Sequence, residues 1–165
     1  MAKKKKGDST NAIRLVSLSK FIYEVREYDI SDGKIDGVSV SDKIGLPYEN
    51  VYKTLVTRET TGNLFVFVIP VNRTLDLKKA AQCVGVKKIE MIHVKEMISL
   101  TGYQKGGCSP IGMKKQFPTV IDSACKKKDY IVISAGKIGL QLVMPPEAII
   151  SLTHAMLGDI TQEGI

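Results

Sequence analysis

Val51-Tyr52-Lys53-Thr54-Leu55-Val56-Thr57-Arg58-Glu59, then Thr60-Thr61-Gly62-Asn63, then Leu64-Phe65-Val66-Phe67-Val68-Ile69: the fold of this 165-residue chain is read outward from this stretch. Its first arm alternates as a half-buried strand does, and its second is a run of β-branched and aromatic residues. Gly62-Asn63 between them supplies the turn, so residues 51–69 are expected to form a β-hairpin. Alternation puts Val51, Lys53 and Leu55 on one face of the first arm and Tyr52, Thr54 and Val56 on the other. A lysine sharing its face with two apolar residues either snorkels at an edge or is aimed into a site, and spacing leaves both readings open.

Upstream of the hairpin, residues 11–18 are expected to form a short helix capped by Ser9 or Thr10, and residues 21–28 a strand. Residues 29–37 read as a loop, and residues 39–44 as a short helix closed by Gly45. Downstream, Asp76 caps a helix running to Val84, with Gly85 just past its end. Residues 88–92 read as a strand and residues 94–101 as a helix ending at Gly102. Three short strands follow at 119–122, 130–134 and 140–144. Pro145-Pro146 then opens a last helix to Leu157, stopped by Gly158. The strands are too closely spaced for repeated βαβ crossovers. An α+β fold is therefore expected, a mixed sheet curled or closed into a barrel with helices outside. The length suits one domain, placed at residues 11–165 behind a disordered basic tail at residues 1–10.

Charge is unevenly distributed. Of a formal net charge of +7, residues 78–137 hold 12 lysines against Glu90, Glu96, Asp122 and Asp129, while residues 138–165 hold no base and three acids. Lysine pairs at 78–79, 87–88 and 114–115, with the triplet at 126–128, would face a polyanion if the fold gathers them. Cys83, Cys108 and Cys125 form no C-x-x-C and leave an odd thiol, which fits a reducing compartment. No apolar run reaches the length of a membrane span, and the lysine-rich start lacks the apolar core of a signal peptide. A cytoplasmic protein is expected.

Within the basic third lies Thr101-Gly102-Tyr103-Gln104-Lys105-Gly106-Gly107-Cys108-Ser109-Pro110-Ile111-Gly112-Met113-Lys114-Lys115. Its glycines and proline exclude a helix or a central strand and leave a shaped loop whose backbone N–H groups can approach a ligand. It is not a phosphate-binding P-loop, because Met113 stands where the lysine is needed. Neither His93 nor His154 has a partner at metal-ligand spacing, and no metal or cofactor is expected. Cys108 has no evident base and reads as a small packed residue.

Four segments taken together resemble the YbaK family of free-standing aminoacyl-tRNA editing proteins, relatives of the editing domain of bacterial prolyl-tRNA synthetases. They are Val51-Tyr52-Lys53-Thr54-Leu55, Leu75-Asp76-Leu77-Lys78-Lys79, Thr101-Gly102-Tyr103 with Gly106-Gly107-Cys108-Ser109-Pro110-Ile111-Gly112, and Ser134-Ala135-Gly136-Lys137-Ile138-Gly139-Leu140. The resemblance covers about residues 12–160. It implies hydrolysis of mischarged tRNA, above all cysteinyl-tRNA(Pro) and cysteinyl-tRNA(Cys), with the substrate's own thiol assisting. It further implies that tRNA is a partner and admits prolyl-tRNA synthetase as another. Lys53 falls at the lysine the family requires, and Gly106 in the loop whose amides hold the substrate carbonyl. Ser134 falls on the pocket wall, while Thr54, Gly107 and Ser109 lie inside the matching motifs and are expected at the substrate. Gln141 replaces a family aspartate, and the family's pocket tyrosine is carried to Tyr28. Two rivals remain: a deacylase for another small residue such as alanine, and a non-catalytic tRNA- or synthetase-binding module.

Overall fold

The structure is a computed structural model that describes residues 10–162, so the expected basic tail, apart from Thr10, lies outside the described residues. In chain order the elements are α1 (Asn11–Ser17), β1 (Glu24–Glu27), α2 (Gly37–Ile44), β2 (Tyr52–Glu59), β3 (Leu64–Pro70), α3 (Leu77–Cys83) and β4 (Ile89–Met91). They continue with α4 (Met97–Thr101), β5 (Thr119–Asp122), β6 (Ile131–Ser134), β7 (Leu140–Met144), α5 (Pro146–Thr153) and β8 (Met156–Gly158). No helix among the described residues is long and apolar enough to cross a membrane.

The expected hairpin is β2–β3, paired antiparallel from Tyr52↔Pro70 to Arg58↔Leu64. Every residue of β3 is buried, because its two faces serve two cores. Val66 and Val68 point into the larger one with Tyr52, Val56 and Ile121, whereas Phe65, Phe67 and Ile69 pack with Leu75, Ala80 and Ile160 beneath α3. Around this hairpin grows a five-stranded sheet in the order β4-β2-β3-β5-β8, with β3, β5 and β8 mutually parallel. A second sheet, β1-β7-β6, is antiparallel throughout. The two sheets touch through one parallel bridge, Val51↔Val132. The α+β class is as expected, but the curl stops at two sheets and does not close into a barrel.

Three local readings change. The last helix ends at Thr153, not Leu157: His154 adopts the left-handed conformation (φ 57) and caps it, freeing Met156–Gly158 to pair with β5. Gly158 is small because of packing, since a Cβ there would lie 2.6 Å from Cys83 Sγ. Residues 94–101 divide into a 3₁₀ turn, Val94–Glu96, and the short α4, with the Glu96 carboxylate drawn aside to Arg58 Nη2 at 2.5 Å. Helix α2 starts two residues before the expected position because Asp36 caps it, accepting the Ser39 N–H at 3.1 Å.

Candidate active site

Strand β2 is paired along its length by β3, but on its other side β4 reaches only Thr57, Arg58 and Glu59. From Tyr52 to Leu55 that edge is unpaired by β4. The Val51 C=O accepts the Val71 N–H at 2.8 Å and the Glu59 N–H reaches the Asn63 C=O at 2.9 Å. With a period of two, the N–H and C=O of Thr54 therefore point the other way, to the open edge. Beyond the Val51↔Val132 bridge the two sheets separate, and a cavity of about 390 Å³ opens between them. Its walls are largely apolar, from Ile35, Val40, Val71 and Met97.

Five of the eight residues expected at the site line this cavity: Lys53, Thr54, Gly106, Ser134 and Gln141. Lys53 is half-buried, and its ammonium has one partner among the described residues, the Val71 C=O at 3.4 Å. Burial lowers its pKa from the ordinary lysine value, with no carboxylate to restore it. Ser134 and Gln141 are cross-strand partners on β6 and β7, so their side chains share a face. The Ser134 Oγ accepts the Gly136 N–H at 3.1 Å, which leaves its own proton to donate. Gln141 Nε2 reaches only the neighbouring Leu140 C=O at 3.3 Å. The Thr54 hydroxyl oxygen is buried without a partner among the described residues.

The glycine loop is braced from within. The Tyr103 hydroxyl donates to the Ile111 C=O at 2.8 Å, Thr101 Oγ1 accepts the Tyr103 N–H at 3.0 Å, and the Lys114 N–H closes the base on the Thr101 C=O at 2.9 Å. Gly106 sits at its tip with φ +87, where a Cβ would meet Ile35 Cδ1 at 2.9 Å. No acceptor among the described residues takes its N–H. Gly107 does not line the cavity. Its N–H is spent on the Gln104 C=O at 3.0 Å, and its α-carbon abuts the backbone of Lys137 and Ile138. Of the two glycines expected at the substrate, Gly106 thus lines the cavity and Gly107 is a spacer. Ser109 is also elsewhere, buried, with Oγ accepting the Ile111 N–H at 3.2 Å. Tyr28 is buried among Val40, Ile44 and Val51, outside the cavity lining, with Lys43 Nζ 6.0 Å from its ring centre.

Sequence reading missed Asp36, Lys105 and the apolar walls. Asp36 is the sole carboxylate on the lining among the described residues, and hydrogen bonds from the side chain and backbone of Ser39 lower its pKa. Its signal was present, an aspartate three residues before a serine at a helix start. Cys108 lines the cavity too, but burial pushes its thiol up to about 12, so it is protonated at neutral pH. Neither histidine lines the cavity: His93 caps a 3₁₀ turn and His154 ends α5.

Among the described lining residues the gap thus holds a lysine without an ion-pair partner and no ionised thiol, an arrangement suited to stabilising negative charge. The chain belongs to the aminoacyl-tRNA editing domain family, whose model matches residues 37–152. It is 45% identical over 161 residues, 98% of each chain, to an Enterococcus faecalis protein named "Putative Cys-tRNA(Pro)/Cys-tRNA(Cys) deacylase EbsC". It is 29% identical over 94 residues to a proline–tRNA ligase of Pelobacter propionicus, of which it spans 16% of the length. Among solved structures, one described as "a putative trans-editing enzyme for prolyl tRNA synthetase" superposes with a TM-score of 0.80 at 23% identity. That match covers 94% of this chain and 99% of the other. Another, the hypothetical protein APE2540, gives 0.83 at 18% identity over 93% of this chain and all of the other.

Proposed function

We propose that the protein deacylates cysteinyl-tRNA, mischarged cysteinyl-tRNA(Pro) foremost, and that the cysteine thiol of the substrate performs the attack. One observation carries this reading: the cavity gathers Lys53 and the Gly106 amide, which can stabilise an anion, but among its described lining residues holds no histidine and no ionised thiol, and its carboxylate, Asp36, is engaged by the side chain and backbone of Ser39. The name of the 45% identical relative supports the same substrate.

In this mechanism the ester carbonyl oxygen faces the Gly106 N–H, and negative charge grows there as the carbonyl carbon is attacked. One such donor is typically worth about 3 kcal/mol. Lys53 holds the ribose or terminal phosphate oxygens of the leaving group. Thr54, through its open-edge C=O and unpartnered hydroxyl, and Asp36 at the rim offer acceptors to the α-ammonium. The substrate thiol gives its proton to solvent and its sulfur bonds to the carbonyl carbon while the carbon–oxygen ester bond breaks. The released ribose oxygen takes a proton, and water then opens the resulting thiolactone to free cysteine. Because the attack is intramolecular, proximity can remove roughly 7–11 kcal/mol of barrier without any enzyme base. A serine hydroxyl is a far weaker nucleophile at neutral pH, so a roomy apolar cavity still discriminates by reactivity. The reaction takes place where charged tRNA is found, in the cytoplasm, and a complex with prolyl-tRNA synthetase would add tRNA selectivity that the cavity lacks.

The test charges one tRNA with cysteine, S-methylcysteine, serine or alanine and compares initial rates of deacylation. Cysteine is expected to be released fastest by a wide margin. Equal rates for cysteine and S-methylcysteine would exclude thiol assistance, and preferential release of alanine would move the substrate assignment to that residue.

A further inference from the structure

Behind the turn that follows β3 lies a second cleft, of about 480 Å³, which the reaction proposed above does not use. It sits at the carboxyl ends of the three parallel strands β3, β5 and β8, where the loops after Pro70, Asp122 and Gly158 diverge. Splayed loops at the carboxyl ends of parallel strands are a favoured place for ligands. Its lining is polar: Asn72, Arg73, Ser123, Lys127, Lys128 and Thr161.

Formal charge in this cleft balances, with Arg73, Lys127 and Lys128 as its bases, but the acids are the more engaged. Three acids also line it, but Asp122 is buried and its carboxylate accepts the Ala124 N–H at 3.2 Å and the Ile160 N–H at 3.4 Å. Asp159 is paired with Lys79 at 3.3 Å. Glu49 is the third acid, and Arg73, Lys127 and Lys128 have no ion-pair partner among the described residues. A guanidinium and two ammonium groups beside an amide, two hydroxyls and a carboxylate match the two parts of a ribose-phosphate: cations for the phosphate, polar acceptors for the sugar hydroxyls.

The two clefts share a wall. Val71 lines the first, while Pro70, Asn72 and Arg73 line the second; Val51 lines the first, while Glu49 lines the second. The Lys53 ammonium rests on the Val71 C=O, one residue from Asn72. Lys53 therefore stands against one side of this wall, and Arg73, two residues past Val71, lines the other. We infer that the second cleft seats an upstream ribose-phosphate of the same single-stranded RNA 3′ end whose terminal ester enters the first. This inference rests on the proposed deacylation. A cleft of this volume suits one nucleotide and not a duplex, so the contact reads backbone and not sequence.

The experiment compares wild type with the double variant Arg73→Ala/Lys128→Ala on two substrates, cysteinyl-tRNA and 2′(3′)-O-cysteinyladenosine, which lacks every upstream phosphate. For cysteinyl-tRNA the variant is expected to raise KM about tenfold with kcat nearly unchanged. Its log–log salt slope is expected to become shallower by about 1.4, the value for two single-strand phosphate contacts. The adenosine ester should turn over unchanged. Equal KM increases on both substrates, or no change on cysteinyl-tRNA, would overturn the inference. A melting temperature equal to wild type checks the fold, and Arg73→Glu provides a second variant with a larger expected effect. If wild type released neither substrate, the proposed function would fail on its own. Binding of an uncharged minihelix ending in CCA would still judge the cleft: weakening by the variant supports it, and equal binding refutes it.

Discussion

The two clefts are separated by the few residues between Pro70 and Arg73, yet they treat charge in opposite ways. In the first, Lys53 stands half-buried in a largely apolar lining with one weak backbone partner, and only Lys105 and Asp36 add charge among the described lining residues. In the second, cations, carboxylates and hydroxyls crowd together in a wetter setting where Asp122 and Asp159 already have partners. A charge in an apolar cavity interacts strongly but is costly to keep there; a charge in an open cleft is cheap and screened by salt. The comparison suggests a division of labour, with chemistry where the dielectric is low and holding where it is high.

Lys53→Ala tests that division most severely. It is expected to lower kcat/KM for cysteinyl-tRNA by about 100-fold or more, the scale of losing a transition-state charge contact. Circular dichroism should show the fold unchanged, and near-normal turnover would remove Lys53 from the site. The pH profile gives an independent reading. Burial lowers the folded-state pKa of Lys53, so its cationic form is lost as pH rises through a value below the ordinary 10.5. An alkaline fall in kcat/KM beginning below that value is expected. The folded protein binds this proton less readily than the unfolded chain, so the Lys53 contribution opposes stability at neutral pH and is relieved as pH rises across the gap. Lys53→Met should accordingly lose activity without losing stability, and a clear drop in melting temperature would show that the ammonium is structural.

The two adjacent glycines should separate function from fold. Gly106→Ala places a side chain at φ +87 and against Ile35 Cδ1, the flexible end of a cavity-wall residue. The strain is about 1–2 kcal/mol, and displacement of the amide is expected to cost about 10- to 100-fold in kcat. Gly107→Ala meets backbone instead, Ile138 N at 2.9 Å and the Lys137 carbonyl carbon at 3.1 Å. It is expected to destabilise by about 1–3 kcal/mol, as overpacking does, with its activity loss following from unfolding. Thermal melts alongside initial rates decide between them, and the reverse pattern would put the oxyanion contact at Gly107.

Smaller effects are expected from the uncharged lining. Thr54→Val replaces an unpartnered buried hydroxyl by a methyl, so stability should hold or rise by up to about 1 kcal/mol. A rise in KM of several-fold would place the hydroxyl on the substrate; an unchanged KM would leave the open-edge backbone alone to bind it. Cys108→Ala should change the rate least, within about threefold, because a thiol pushed up to about 12 supplies almost no thiolate at pH 7. Mass spectrometry of the enzyme during turnover should find no acyl adduct at Cys108, and one trapped there would replace substrate-thiol attack by a protein nucleophile.

Local patterns made much of this molecule legible. The hairpin at residues 51–69 follows from alternation and a Gly-Asn turn, and the start of α3 from Asp76, whose carboxylate takes the N–H groups of Lys78 and Lys79. Where a reading depended on the next layer of packing it changed. Gly158 was read as a helix stop, because glycine commonly ends helices; it is instead a strand residue kept small by the Cys83 sulfur, and His154 ends the helix. Gly106 and Gly107 are indistinguishable in sequence; only the structure presses the backbone of residues 137–138 against Gly107 and leaves the Gly106 N–H without an acceptor among the described residues.

By itself the sequence determined that the chain contains a β-hairpin with an apolar-faced lysine, a shaped glycine loop and an excess of lysine over residues 78–137, and the motifs it shares with editing proteins made Lys53 a candidate. Periodicity, turn chemistry and charge are properties of neighbours along the chain, so they can be read there. Tertiary structure alone decided that β4 stops short and leaves the edge of β2 open at Thr54, and that Asp36 reaches the rim of the cavity. It also decided that the loops after three parallel strands gather Arg73 with Lys127 and Lys128. Those arrangements depend on which strands pair and how far. Pairing is a contest among distant segments for shared apolar cover, and no local window of sequence records its outcome.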